Sequence, residues 1–301
     1  MSRGRWGVAV LGSLTKLCSQ SQTRHTTEST SNTWYGFQTQ VDSGSKATGI
    51  PVVPCAFIKS RFPTNKLILY FHGNAEDIGF ANEFLAPICE KWKVDLYVTQ
   101  VHALAIEYPG YGLYPGNTDG DSIKATANLV YDFVTRTMRI PPQDIIIFGR
   151  SIGTGPATYL ANRSDCSALV LFSPYISIRG VAKEHVGCLS CCAPDIFQNI
   201  EAIRTIRRPI FIIHGKLDEV INVKNADALF EACHTNSREH KDIRKPEHMT
   251  HNDFFLEDDF IAPSTYFLES RKLIKQIDTR NHQIPEAIAD LRRRFGPRQL
   301  N

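Results

Sequence analysis

The chain lacks any uninterrupted apolar run of the ~18–20 residues that a membrane-spanning helix requires. It also lacks a strong charge of either sign: 34 Lys and Arg against 31 Asp and Glu leave +3 at pH 7. A balance that mild supplies no basic stripe for nucleic acid, and no RNA- or DNA-binding module is recognisable along the chain. No internal repeat is apparent, which excludes a solenoid or a propeller. Cysteine is scarce outside one cluster. Cys18, Cys55, Cys89, Cys166 and Cys233 are scattered, and only Cys188-Leu-Ser-Cys191-Cys192 lie together. A chain of 301 residues can bury a core without disulfide staples, so reduced thiols are expected. Cys188 and Cys191 have the spacing of half a zinc site, but no second Cys/His pair at ligand spacing follows, and no metal is expected. Surface thiols or lipid attachment are the other readings of the cluster.

What is present is an ordinary globular composition, 42% hydrophobic and 22% charged. Met1 to Leu14 opens basic and carries a short apolar stretch without a small-x-small cleavage site, which favours a cytoplasmic protein over a secreted one. Peripheral contact at a membrane is the alternative location. Residues 15–33 are dense in Ser, Thr and Gln and cannot bury enough apolar area to offset chain entropy; residues 1–33 are therefore expected to be a disordered leader. A single domain is expected over 34–301.

Within it, strands and helices alternate. Residues 51–57 read as an early strand, with Pro51 and Pro54 pointing to a sheet edge. Lys66–Phe71 and His102–Tyr108 are continuous apolar runs suited to strands covered on both faces. The first is followed by a helical pattern through Phe80, Phe84, Leu85 and Ile88. Residues 93–101 look redundant beside the second and read as a local insertion. Asp121 is the expected cap of a helix burying Ala125, Leu129, Val130, Phe133 and Val134. Strands follow over 144–149, 168–172 and 209–214, a weak edge strand is expected within 231–246, and a helix is expected over 264–294, broken at Pro285. Residues 173–205 lose the rhythm and read as a cap or lid. The whole implies an α/β fold, a mostly parallel sheet with helices on both faces and a small cap insertion.

The chemistry concentrates at strand ends. Gly149-Arg-Ser-Ile-Gly153 follows four apolar residues and runs into a helix-compatible segment, the pattern of a nucleophile elbow presenting Ser151. Glycines two residues either side of the serine stand where a Cβ would collide with neighbouring backbone. A serine hydroxyl needs a base, an acid that orients the base, and donors for the oxyanion. Asp218 follows the 209–214 strand, with Glu219 competing for the same role. His251, in Met249-Thr-His-Asn-Asp253, is favoured as base over His248 and His240, because Asn252 and Asp253 can fix its loop. His72 and His214 end strands and read as structural. His72-Gly-Asn-Ala75 is a strand-to-helix turn whose Asn74 amide, with that of Ile152, could bind an oxyanion. No metal or organic cofactor is required by this chemistry.

Together, His72-Gly-Asn-Ala, Glu107-Tyr-Pro-Gly-Tyr-Gly112, Gly149-Arg-Ser-Ile-Gly-Thr-Gly155, His214-Gly-Lys-Leu-Asp-Glu-Val-Ile221 and His251-Asn-Asp253 resemble the α/β-hydrolase fold proteins. More closely they resemble the α/β hydrolase domain-containing protein 17 branch and its type 13 relatives. The resemblance covers about residues 50–275. It implies a serine hydrolase that removes S-acyl (palmitoyl) thioesters from membrane-bound proteins, with Ser151 as nucleophile, Asp218 as acid and His251 as base. The implied partner is an acylated protein or a lipid-like ester. This chain departs from that branch in having only Cys18 before residue 55, and in carrying Arg150 where those enzymes usually have Gln. A lipid or small-molecule carboxylesterase, a serine peptidase and a non-catalytic binding protein on the same fold are the alternatives.

Overall fold

The structure is a computed structural model that describes residues 34–38, 52–60, 64–91, 93–94, 97–98, 101–186, 195–234 and 240–274. Its centre is an eight-stranded sheet. In chain order the strands are β1 (Trp34–Gln38), β2 (Val52–Ile58), β3 (Leu67–Phe71), β6 (His102–Ile106), β7 (Ile145–Arg150), β8 (Ala168–Phe172), β9 (Ile210–Ile213) and β10 (Lys241–Arg244). Across the sheet they run β1-β2-β6-β3-β7-β8-β9-β10. Every pair from β6 to β10 is parallel; β1 and β2 join antiparallel. A separate two-residue hairpin, β4 (Lys93–Val94) with β5 (Tyr97–Val98), accounts for the apolar residues that look redundant in sequence.

The apolar runs are continuous because both faces of the inner strands are covered. Leu67, Leu69, Ile145, Ile147, Leu169 and Ile212 point to one side, and Ile68, Tyr70, Ile146, Phe148, Val170 and Phe211 to the other. On the first side lie α2 (Gly120–Asp132), α3 (Thr154–Arg163) and α6 (Lys224–Ala232); on the second, α1 (Ile78–Lys91) and α7 (Ala262–Ser270). Because β3 and β6 to β10 run parallel, their carboxyl ends lie at one edge, where ligands bind in open α/β sheets. Phe71 lies opposite Ile106 on one flank and Gly149 on the other, so β3, β6 and β7 end level.

Several local expectations need correction. β2 is not the sheet edge: β1 pairs with Val52–Ala56, with Gly36 opposite Pro54, and the ladder to β6 begins only at Cys55. The cap of α2 is Asp119, not Asp121. Its carboxylate accepts from the amides of Asp121 and Ser122, and Ser122 completes a capping box that the sequence hides by using Ser at the third position. Ala125 is exposed and Leu129 half-buried, because Ile123, Ala127 and Val130 take the inward face. Phe80 is likewise exposed, while Ala81, Leu85 and Ile88 are buried. Asp144 closes a 3₁₀ turn, and β7 starts one residue later. At the C-terminal end, α7 stops at Ser270 after a π turn over Leu256–Ile261. The rest of the expected 264–294 helix beyond 274, the leader and Cys18 lie outside the described residues. Between β8 and β9 the expected cap region holds α4 (Ile178–Val186) and the short α5 (Asn199–Ala202). Cys188, Cys191 and Cys192 also lie outside the described residues.

Candidate active site

β7 ends and α3 begins with only a 3₁₀ turn, Ser151–Gly153, between them. That abrupt reversal holds Ser151 at φ +51°, a left-handed conformation costing an L-residue roughly 1–2 kcal/mol. The turn tolerates no side chain on its flanks. A Cβ on Gly153 would lie 2.1 Å from the Phe71 carbonyl oxygen, and one on Gly149 would lie 2.4 Å from that of Gly153. Thr154 Oγ1 donates to the Ser151 carbonyl at 2.7 Å and clamps the turn from below.

His251 and Asp218 come from neighbouring strand ends. The loop after β9 is tied to the loop after β10 by Lys216 N–H to the Pro246 carbonyl at 3.0 Å and Leu217 N–H to the Met249 carbonyl at 3.1 Å. A Cβ on Gly215 would stand 2.1 Å from that Met249 oxygen, so glycine is what allows the loops to meet. In the second loop the Thr250 hydroxyl accepts the Asp253 amide at 2.9 Å, holding the turn around His251. His251 Nε2 then lies 2.9 Å from Ser151 Oγ, and its Nδ1 lies 2.8 Å from Asp218 Oδ2. The facing carboxylate fixes the proton on Nδ1 and leaves Nε2 free to accept the serine proton.

Asp218 is surrounded by donors. Its Oδ1 accepts from the Val220 and Ile221 amides at 2.9 and 2.8 Å, and its Oδ2 faces both His251 and, at 3.2 Å, His214 Nε2. Burial pushes this carboxyl up, but the hydrogen bonds from His214 and His251, the His251 charge and the Ile221 amide outweigh it. Its pKa is held well below the usual carboxylate range.

On the other flank, β3 ends in His72-Gly73-Asn74. Buried His72 donates through Nδ1 to the Gly73 carbonyl at 2.9 Å, and its Nε2 meets buried Glu107 at 3.0 Å. Glu107 also accepts the Ile78 amide at the start of α1, so one carboxylate joins the ends of β3 and β6 to a helix N-terminus. Gly73 N–H is taken by Glu76 at 2.9 Å, and the Asn74 side chain accepts from the Tyr111 hydroxyl at 2.8 Å. Asn74 and Ile152 line the same pocket as Ser151 and His251. That pocket holds about 120 Å³, and Ile178, Val181 and Ala182 of α4 with Val220 and Ile221 form its apolar wall.

Of the competing residues, Glu219 is exposed and only its carboxylate reaches the His251 amide, at 3.5 Å. His248 turns to Asp259 at 3.0 Å, and His240 is exposed. Sequence reasoning missed three contributors: the second imidazole on Asp218, His214; the brace between His72 and Glu107; and the ion pair of Arg150 with Glu76. His214 was findable, since it stands four residues before Asp218 at a buried strand end. The other two pairs join residues far apart in the chain, and nothing local announces them.

No family model matches the chain. Among curated relatives, it is 31% identical over 183 residues to the α/β hydrolase domain-containing protein aho-3 of Caenorhabditis elegans, covering 61% of this chain and 52% of that one. It is 30% identical over 197 residues to α/β hydrolase domain-containing protein 17B of Homo sapiens, covering 65% and 63%. For protein 17C of Mus musculus the identity is 29% over 179 residues, covering 60% and 53%. The chain thus spans about half the length of aho-3 and of protein 17C. Among solved structures it superimposes on the Pyrococcus furiosus esterase Pf2001 with a TM-score of 0.59 at 13% identity, covering 88% of this chain and 96% of that one. It superimposes on the Paleococcus ferrophilus monoacylglycerol lipase with a TM-score of 0.54 at 14% identity, covering 72% and 99%. The fold is the α/β-hydrolase fold, and the chain resembles the α/β hydrolase domain-containing proteins of type 17.

Proposed function

From that fold and those contacts, we propose that the chain is a serine hydrolase that cleaves carboxylic ester or thioester bonds through an acyl-enzyme. The observation that carries this reading is the unbroken contact from Ser151 Oγ through His251 to Asp218, opening onto an apolar wall. Ser151 attacks the carbonyl carbon while its proton passes to His251 Nε2, and Asp218 steadies the imidazolium. The Asn74 and Ile152 amides receive the developing oxyanion. His251 then protonates the departing alcohol or thiol, and water repeats the sequence to release the acid. A thiol, with an ordinary pKa of about 8.5, leaves more readily than an amine, so a thioester asks less of this site than a peptide bond does.

The favoured substrate is a protein S-acyl thioester such as a palmitoyl-cysteine. The apolar wall and the resemblance to the type 17 proteins support it. The proposed setting is cytoplasmic with peripheral contact at a membrane, where such substrates lie. Among the described residues no helix is long and apolar enough to cross one. A second reading, a carboxylesterase for short acyl groups, is favoured by pocket size. About 120 Å³ is well below the ~300–1,000 Å³ of sites that enclose drug-sized ligands, so a palmitoyl chain would extend beyond the described pocket.

Two measurements test this. A fluorophosphonate probe is expected to label the wild type and not Ser151→Ala; no labelling, or equal labelling of both, rejects the hydrolase. Rates on p-nitrophenyl esters from acetyl to palmitoyl, beside a palmitoyl-thioester peptide, then separate the substrates. Turnover confined to short esters rejects the depalmitoylase and leaves the esterase.

A further inference from the structure

We infer that Arg150 is a positioning residue that locks the oxyanion loop and the base loop into one register. The inference rests on the serine-hydrolase reading above. Arg150 is the last residue of β7 and directly precedes Ser151, and its side chain reaches both neighbouring loops. Nη1 pairs with Glu76 Oε1, while Nη2 donates to the His251 carbonyl at 3.3 Å and to Asn252 Oδ1 at 3.1 Å. The other Glu76 oxygen, Oε2, accepts the Gly73 amide at 2.9 Å. One continuous path thus runs from the main chain beside Asn74, through Glu76 and Arg150, to the main chain of His251.

The surroundings make this more than a surface ion pair. The Arg150 and Glu76 side chains are only 11% and 19% exposed, where charges are screened less than in open solvent. The guanidinium carbon lies 6.0 Å from the Phe172 ring centroid and 5.8 Å from that of Phe254, within cation–π range of both. The main chain is shaped around the pair as well. A Cβ on Gly73 would sit 3.0 Å from Glu76 Oε1 and 3.3 Å from Arg150 Nη1. A planar fork holds acceptors on two loops at once from separate, rigidly spaced nitrogens, whereas an ammonium must reach both from one nitrogen.

The two loops need such a link. They follow β3 and β10, which are separated in the sheet by β7, β8 and β9. Among the described residues no main-chain hydrogen bond joins residues 73–76 to residues 249–253. Yet the oxyanion donor and the base must hold their places relative to Ser151 within a fraction of an ångström. Arg150 extends from the strand between the loops and fixes each against the other.

The test uses the full chain as wild type, Arg150→Gln, Arg150→Lys, Glu76→Gln and the double variant Glu76→Gln/Arg150→Gln, with kcat and KM on p-nitrophenyl butyrate and melting temperature as a control. Arg150→Gln is expected to lower kcat about 10- to 100-fold while KM changes less than about twofold, the signature of misplaced catalytic groups rather than lost binding. Arg150→Lys, which keeps charge but not the fork, recovers part of that loss. The double variant is no worse than the poorer single, because both substitutions cut the same path. A kcat for Arg150→Gln within twofold of wild type overturns the inference, as does a double variant whose losses multiply. A loss that appears equally in kcat and in the fraction of folded protein overturns it too. A wild type that neither labels with fluorophosphonate nor hydrolyses the ester removes the underlying reading and the inference with it. An active wild type with an indifferent Arg150→Gln removes the inference alone.

Discussion

Replacing Asp218 by Asn keeps the shape of the triad acid and removes its charge, and the hydrogen bonds around the side chain decide which way the new amide turns. Oδ1 accepts two main-chain amides, at 2.9 and 2.8 Å, and Oδ2 accepts the His251 Nδ1 proton at 2.8 Å, while His214 Nε2, 3.2 Å from Oδ2, has the Ile221 carbonyl as its nearer acceptor at 2.7 Å. An amide offers one acceptor and one donor. Turned with its oxygen to His251, it would set an NH₂ against two buried N–H groups, each unmatched donor costing about 1–3 kcal/mol. It therefore keeps its oxygen on the Val220 and Ile221 amides and presents NH₂ to His251. The imidazole answers by moving its proton to Nε2, the nitrogen that should accept from Ser151 Oγ. A triad with the wrong tautomer loses about 10⁴ in kcat, which at about 1.36 kcal/mol per decade is about 5.4 kcal/mol of barrier. Initial rates of p-nitrophenyl butyrate hydrolysis at pH 7.5–8, with the melting temperature measured on the same samples, check this. If Asp218→Asn keeps kcat/KM within tenfold of wild type while Ser151→Ala is dead, Asp218 does not orient His251 and the reasoning fails.

The geometry sets three further outcomes. Ser151→Gly should melt about 2 °C above Ser151→Ala, since glycine accepts φ +51° with a net gain of about 0.5–1 kcal/mol; equal melting temperatures would deny the strain. Gly153→Ala should cost about 3 kcal/mol or more in urea unfolding, because its new methyl would meet the main-chain oxygens of Phe71 and His72 at 2.1 and 2.6 Å and neither can step aside; a loss under 1 kcal/mol refutes the close approach. Asp218 has its pKa depressed from about 3.8 in the folded state, so its stabilising share is fully present above about pH 4 and is lost as pH falls toward the folded value. The unfolding free energy of wild type relative to Asp218→Asn should accordingly not fall between pH 7 and 4 and should shrink below pH 4. A difference that shrinks instead between pH 7 and 5 contradicts that sign.

The sheet and the positions of Ser151, Asp218 and His251 were legible because each is marked by a local pattern at a strand end. A four-residue apolar run before Gly149 can be read without knowing its neighbours, and so can the His214-to-Asp218 interval. Apart from the His214–Asp218 pair and the α2 cap, what escaped reading depends on partners distant in the chain. Pro54 suggests an edge because a proline lacks an amide, but Gly36 sits opposite it and the strand is interior all the same. The helix cap moved from Asp121 to Asp119 because both are competent, and only the three-dimensional position of Ser122 chooses between them. Arg150 reads as an idle cation in sequence, since Glu76 and Asn252 stand 74 and 102 positions away.

The separation of the catalytic groups along the chain also sets a timetable for synthesis. His251 is added 100 residues after Ser151. At ~5–20 residues per second the elbow waits about 5–20 s on the ribosome before its base exists. During that interval the serine is an unactivated alcohol, and the late strands β9 and β10 must still dock at the far edge before Asp218 and His251 can reach it. The contact from Ser151 through His251 to Asp218 closes only once β10 and the loop after it have docked, so on the proposed hydrolase reading covalent labelling of Ser151 would report completed folding.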